Sequence, residues 1–176
     1  MEANSAAILP FILALPLAGG IINGLFGKRM SRQVVYAIAN AAVVSAFFLS
    51  LLVFFRLQTA PEAVSNAGFS IHLWDWIVAG DFKFEFGLLA DRLSVTLLLV
   101  ITGIGSLIHL YSTSYMNHDP GYARYFAYLN LFIFSMLTLV LGNNLAIMFI
   151  GWEGVGACSY LLIGFWFTDM AKAEAG

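Results

Sequence analysis

Long apolar runs separated by short polar breaks dominate the chain. Five stretches approach or exceed the roughly 20 mainly apolar residues that a helix needs to cross a bilayer: 7–26, 34–55, 93–113, 125–141 and 144–167. The breaks carry the expected punctuation. GKRMSRQ follows the first run, Arg56 closes the second, and ADRLS opens the third, where Asp91 is placed to cap the helix and meet its dipole. The pattern predicts an all-α membrane protein of five spanning helices.

One region breaks the helical rhythm. In SIHLWDWIVAGDFKFEFGLL the period shortens to two: Phe82, Phe84 and Phe86 alternate with Lys83 and Glu85, and HLWDW alternates in part. A Gly-Asp pair separates the halves. This predicts a β-hairpin with an aromatic face, and its tryptophans and phenylalanines suit the headgroup zone. The chain therefore divides into residues 1–56 with two helices, 57–90 with the extramembrane hairpin, and 91–176 with the third to fifth helices.

Composition agrees and narrows the class. Of 176 residues 61% are hydrophobic and only 10% charged, too few polar groups to cover a soluble domain. A net charge of −2 gives no footprint for nucleic acid, so the expected surroundings are lipid and other membrane proteins. The single cysteine, Cys158, excludes an internal disulfide and a multi-cysteine metal cluster. MEANSAA lacks the positive segment of a secretory signal, so the first helix is expected to be retained. With alternating spans, Lys28, Arg29, Arg32, Arg124 and Lys172 fall on one side and Arg56, Lys83 and Arg92 on the other. The first loop's cluster predicts that side to be cytoplasmic or matrix-facing, with the N-terminus and the hairpin outside.

Chemistry concentrates in MFIGWEGVGACSYLLIGFW, residues 148–166, where Glu153 interrupts an apolar helix. Nine positions after Asn144, at 1.5 Å per residue, it lies roughly 13 Å into a hydrocarbon layer about 30 Å thick. A charged group at that depth costs about 2.5–3.5 kcal/mol on insertion scales. None of the Lys and Arg residues sits at mid-depth, so the position asks for a proton on the carboxyl or a cation from outside these residues. Ala146, Gly156, Ala157, Tyr160 and Gly164 fall near the same side, and small residues there predict a closely packed partner helix. Intramembrane acids of this kind mark proton or ion pathways more often than mere helix contacts.

The remaining polar positions are weaker. Thr102, Ser106, His109 and Thr113 share one face of the third span. His109 is a minor relay candidate, since imidazole exchanges protons near neutrality, although its place toward one end suits a packing residue. Asn40 and Asn130 are expected to hydrogen-bond between helices, and His118 and Asp119 to sit in a solvated turn. GLFGKRMS is no phosphate loop, because Ile22 stands where the first glycine belongs and Arg29 where Ser or Thr belongs. GWEGVG reverses the dinucleotide spacing within a span. Ser159 has no nearby base, and three scattered histidines show no metal-ligand spacing, so no metal or cofactor is expected on this chain.

Three stretches carry a family resemblance: LLADRLSVTLLLVITGIGSLIHLYSTSYM, GYARYFAYLNLFIFSMLTLVL and NNLAIMFIGWEGVGACSYLLIGFW. Over residues 88–166 the chain closely resembles the antiporter-like membrane-arm subunits of NADH–quinone oxidoreductase (respiratory complex I), the subunit L and mitochondrial subunit 5 family. The resemblance implies a larger fold of about fourteen helices with two inverted repeats, of which this chain is the N-terminal part. It further implies a proton-translocating subunit, with Glu153 paired to a lysine on a later helix whose changing association moves protons along a polar axis. NADH, FMN, iron-sulfur clusters and quinone would sit in other subunits, and the partners would be other membrane-arm subunits. The membrane would be the bacterial inner or mitochondrial inner membrane. Two other readings are a large subunit of a multisubunit Na⁺ or K⁺/H⁺ antiporter and a purely structural subunit.

Overall fold

A computed structural model describes residues 5–80, 82–169 and 172. It consists of helix α1 (Leu9–Phe26), a 3-10 turn (Gly27–Arg29), α2 (Arg32–Gln58), the short α3 (Glu62–Ala67), strands β1 (Phe69–Ala79) and β2 (Phe82–Ala90), then α4 (Arg92–Tyr115), α5 (Tyr122–Leu141) and α6 (Leu145–Ile163). The five long helices are each long and apolar enough to cross a membrane.

Glycine sets how closely they approach. A methyl group at Gly19 would lie 2.7 Å from Asn130 Oδ1 and 2.9 Å from the Ala42 side chain, so α1 meets α2 and α5 almost backbone to side chain. Gly105 on α4 likewise accepts Ile133 of α5 and Val43 of α2 at its surface. Lipid is as apolar as leucine, so such close packing, rather than escape from water, holds spanning helices together. α1, α2, α4 and α5 form a four-helix body around two buried clusters. One, at the hairpin end, joins Leu9, Ile12, Val53, Leu98, Leu137 and Leu141 to Phe69 and Leu88 of the strands. The other, at the opposite end, centres on Phe126 with Val35, Met116 and Phe165.

The predicted hairpin forms as an antiparallel pair running from Phe69↔Ala90 to Ala79↔Phe82, with irregularities between His72 and Trp74 and between Asp75 and Ile77. Trp74 stacks on Phe86 at 4.4 Å. Gly80, at φ +62°, supplies the left-handed turn residue that an L side chain resists; Asp81, the other half of the predicted turn, lies outside the described residues. Asp91 caps α4 as its position implied, its Oδ1 accepting the Ser94 amide at 2.7 Å.

The fifth helix is shorter than the 144–167 expected from hydropathy and ends at Ile163. Gly164 follows it. The Phe165 carbonyl, released from the helix, accepts from Arg124 Nη2 at 3.2 Å, and Trp166 Nε1 donates to Asp119 Oδ2 at 2.8 Å. These bonds fold the apolar tail back across α5, a tertiary effect that hydropathy does not register. They also correct the reading of Asp119 as a solvated turn residue. It is half-buried, its Oδ1 accepts the Gly121 amide at 2.6 Å, and it ties the α4–α5 turn to the end of α6.

Candidate functional site

The geometry of α6 is set at its first residue. Asn144 accepts the amides of Ala146 and Ile147 at 3.1 Å each, giving two otherwise orphaned donors their partner. Its Nδ2 donates to the Glu85 carbonyl at 2.8 Å, and Asn143 Nδ2 donates to Glu85 Oε1 at 2.6 Å. Asn143 also donates its backbone amide to Gly87 O at 3.2 Å. Strand β2 therefore holds the start of the acid-bearing helix. His72 completes this outer cluster, its Nε2 at 2.8 Å from Asp75 Oδ1 and 3.9 Å from Glu85 Oε2.

From that anchored start α6 lies along α5 on Ile147, Gly151, Gly154 and Cys158. A methyl at Gly151 would strike the Leu139 backbone, and one at Gly154 would come within 2.6 Å of Ser135 Oγ. Glu153 points elsewhere, roughly a third of a turn around the helix from this seam. It is exposed, along with Gly156, Ala157 and Tyr160, while Ala146 and Gly164 are half-buried. Nothing lies within 4 Å of a methyl built at Gly156. The small-residue seam that α6 uses within this chain is thus a different one from the side chosen for Glu153's partner. The carboxylate is the ninth of nineteen helical residues, midway along α6. Among the described residues no ion pair includes Glu153. A cleft of about 600 Å³ opens further along α6, toward its far end, lined by Gly156, Ser159 and Tyr160 of α6, Tyr128 and Arg124 of α5, and Phe165; Glu153 does not line it.

The polar face of α4 turns inward. Thr102, Ser106 and His109 are buried; each hydroxyl donates to the carbonyl four residues earlier, and His109 Nδ1 lies 2.8 Å from Gly105 O. Thr113 drops out of this face, half-buried and bonded to Leu110 O, and Ser112 takes its place, 3.3 Å from the Tyr125 hydroxyl. His109 is fully enclosed with its ring 6.2 Å from that of Phe126, whereas Glu153 is exposed on α6, so the two do not form one site. Asn40 and Asn130 do not bridge helices. Each donates to the carbonyl one turn back, Tyr36 at 2.7 Å and Phe126 at 2.9 Å, because the local acceptor is nearer than any on a neighbour. The amide that crosses is Asn23, which donates to Val35 O at 3.3 Å. Sequence reasoning missed it; the signal was a lone amide four residues after Gly19 on the same helix face.

Comparison with known proteins was made against this geometry. Residues 76–126 match the family model of NADH-ubiquinone oxidoreductase (complex I) chain 5 N-terminus, and residues 142–176 that of the NADH:quinone oxidoreductase/Mrp antiporter transmembrane region. The chain is 43% identical over 169 residues to NADH-quinone oxidoreductase subunit L of Pseudomonas aeruginosa, an alignment covering 96% of this chain and 27% of that protein. It is 45% identical over 173 residues to the Escherichia coli K12 subunit L, with the same two coverages, 96% and 27%. NADH-ubiquinone oxidoreductase chain 5 of Aspergillus niger is 40% identical over 164 residues, covering 93% of this chain and 24% of the relative. The chain spans about a quarter of the length of these relatives. In three dimensions it is similar to a chain of the Mrp complex from Dietzia sp., with a TM-score of 0.66 and 24% identity over 88% of this chain and 16% of that one, a likeness of fold.

Proposed function

Since the chain belongs to the family of NADH–quinone oxidoreductase subunit L and chain 5, we propose that it is the N-terminal part of a proton-translocating membrane-arm subunit of that enzyme, with Glu153 as a proton-coupled charge. The observation that carries the reading is a carboxylate midway along a spanning helix, on a face this chain leaves open while the seam with α5, roughly a third of a turn away, is tightly packed. A carboxylate at that depth is not stable against lipid alone. It needs a proton or a cation, and a switch between the two is a means of moving charge. The cation is a lysine on a later helix of the full-length protein, docked on the face of Gly156, Ala157 and Tyr160. The changing association of Glu153 and the lysine is what moves protons along a polar axis.

The rest of the assignment follows from this premise. NADH, FMN, iron-sulfur clusters and quinone are bound by other subunits. His109 serves at most as a secondary relay. The hairpin and the N-terminus face the outer side of a bacterial or mitochondrial inner membrane, with Lys28, Arg29, Arg32 and Arg124 on the inner side.

Glu153→Gln in the full-length protein within its native complex tests the proposal, because it keeps shape and removes ionisation. NADH-driven proton pumping is expected to fall at least several-fold while the complex still assembles. Normal pumping by an assembled Gln variant overturns the role of Glu153. The family model over 142–176 also covers Mrp antiporters, which supports Na⁺ or K⁺/H⁺ exchange as the second reading; co-purification of this subunit without redox partners would select it.

A further inference from the structure

The end of the body opposite the hairpin carries unbalanced positive charge. The turn bearing Lys28 and Arg29 lies against the start of α5, where Gly27 meets Ala123 and the Tyr122 hydroxyl donates to Met30 O at 3.3 Å. Arg32 stands over the Tyr122 ring at 4.7 Å, and Arg124 lies in the first turn of α5. Among the described residues none of these four cations is in an ion pair. The acids at this end are already engaged. Asp119 accepts from the Gly121 amide and from Trp166 Nε1, and Asp169 pairs with Lys172 at 3.2 Å.

Arg124 differs from the other three in having a cleft beside it. Its guanidinium is 4.7 Å from the centre of the Phe165 ring and 5.2 Å from that of Phe167, and Nη2 donates to the Phe165 carbonyl at 3.2 Å. All three residues line the cleft of about 600 Å³ between α5 and α6, so the charge is part of its wall. A guanidinium has five N–H donors, of which that carbonyl takes one, and a cation in the first turn of a helix faces the positive end of its dipole. Tyr36, Tyr122, Tyr125, Tyr128 and Trp166 gather at the same end, and such rings collect at headgroup level. From there the cleft follows α6 back to Gly156, eight residues before Gly164 and so about 12 Å at 1.5 Å per residue. Tyr128, Leu161 and Ile163 line it along the way. A fixed cation with spare donors therefore stands at headgroup level, and a mainly apolar channel leads from it toward the hydrocarbon.

We propose that this cleft binds an anionic phospholipid, with its phosphate on the Arg124 guanidinium and an acyl chain along Tyr128 and Ile163. A phosphate presents two oxygens to the guanidinium fork, and basic pockets between spanning helices suit such headgroups. A free anion would leave the apolar length of the cleft uncovered, whereas a lipid fills both parts. Glu153 does not line the cleft, so the site stands or falls apart from its role. A later helix docked on the Glu153 side would meet Gly156 and Tyr160 as a further wall.

The full-length protein in its native complex, stripped of lipid by detergent exchange, tests the site when returned to nanodiscs of two compositions. One is phosphatidylcholine alone, the other phosphatidylcholine with phosphatidylglycerol. Cryo-EM maps of the second are expected to show chain-shaped density in the cleft with a headgroup on Arg124, and maps of the first to lack that headgroup. Equal density in both, compact density without a chain, a protein segment in the cleft, or an empty cleft in both overturns the proposal. With phosphatidylglycerol present, Arg124→Gln should lose the headgroup density and Arg124→Lys, which keeps the charge, should retain it. Headgroup density unchanged in the Gln variant also overturns the proposal. If that variant does not assemble, the two wild-type maps decide.

Discussion

Helices α5 and α6 are adjacent, antiparallel and almost equally apolar, with mean hydropathy of 1.5 and 1.6 over their spanning windows. Their surroundings differ sharply, since half of the α5 window is buried and only 17% of the α6 window. α5 is the central element, touching α1, α2, α4 and α6; α6 touches α5 and, at its start, the hairpin. The polar residues follow this division. On α5, Asn130, Ser135 and Thr138 face inward and bond to their own backbone, whereas on α6 the one charged side chain faces outward. In a membrane, hydropathy reports the solvent a helix can enter and says little about whether its neighbour is lipid or protein. The open face of α6, which carries the acid, is where the larger protein is expected to add its next contacts.

The comparison breaks most visibly at glycine. Gly151→Leu drives a side chain into the Leu139 backbone and should separate α6 from α5. Overpacking typically costs about 1–3 kcal/mol, and backbone, which cannot give way as a side chain does, puts this site at the upper end. The expected outcome is loss of the subunit from the membrane, read as its abundance in an immunoblot of the full-length protein. Gly156→Leu is the matched contrast: nothing in this chain lies within 4 Å of a methyl there, so any loss reports the later helix proposed to dock on that face. An equal loss at Gly156 would show that a segment outside this chain packs on the Glu153 face as closely as α5 packs on the other.

A smaller effect is expected from paired phenylalanines. Phe126 is fully buried between Tyr36 and His109, and Phe149 on α6 is 62% exposed. In soluble cores Phe→Ala costs about 3–5 kcal/mol. Part of that is transfer from water, which a lipid-embedded helix does not recover, so the cavity and lost ring contacts should leave about 2 kcal/mol for Phe126→Ala. Phe149→Ala should change thermal stability of the purified assembly by much less. Comparable shifts for both would mean that Phe149 is buried in the intact protein.

Much of this division was legible in the residues. The five spans, the Asp91 cap and the hairpin all rest on local rules, namely run length, a capping carboxylate and a period of two, and each appears where those rules place it except at the end of the fifth span. What was not legible depends on neighbours distant in sequence. The end of α6 was missed because Arg124 and Asp119 draw the tail away from the helix axis. The seam between α6 and α5 was not identified because small residues lie on two sides of α6, Gly151 and Gly154 on one and Gly156 and Ala157 on the other, and composition does not say which side meets α5. Asn40 and Asn130 were expected to cross between helices, but a carbonyl one turn back is always within reach and no sequence rule ranks it below a distant partner.

The smallest effect asks what holds α6 besides its seam on α5. Asn144→Ala removes the cap on Ala146 and Ile147 and the bond to the Glu85 carbonyl together, an expected loss of about 1 kcal/mol. Asn144→Asp separates the two functions. It keeps an oxygen to accept the helix amides, and adds a favourable charge at the helix N-terminus, but has no Nδ2 to reach strand β2. If α6 is positioned chiefly by its own cap, hydrogen exchange at the Ala146 and Ile147 amides rises in the Ala variant and returns to normal in the Asp variant. If the hairpin is the anchor, exchange stays raised in both, and proton pumping through Glu153 should fall in both as well, because the start of the helix that carries the acid then keeps only the Asn143 bonds to strand β2.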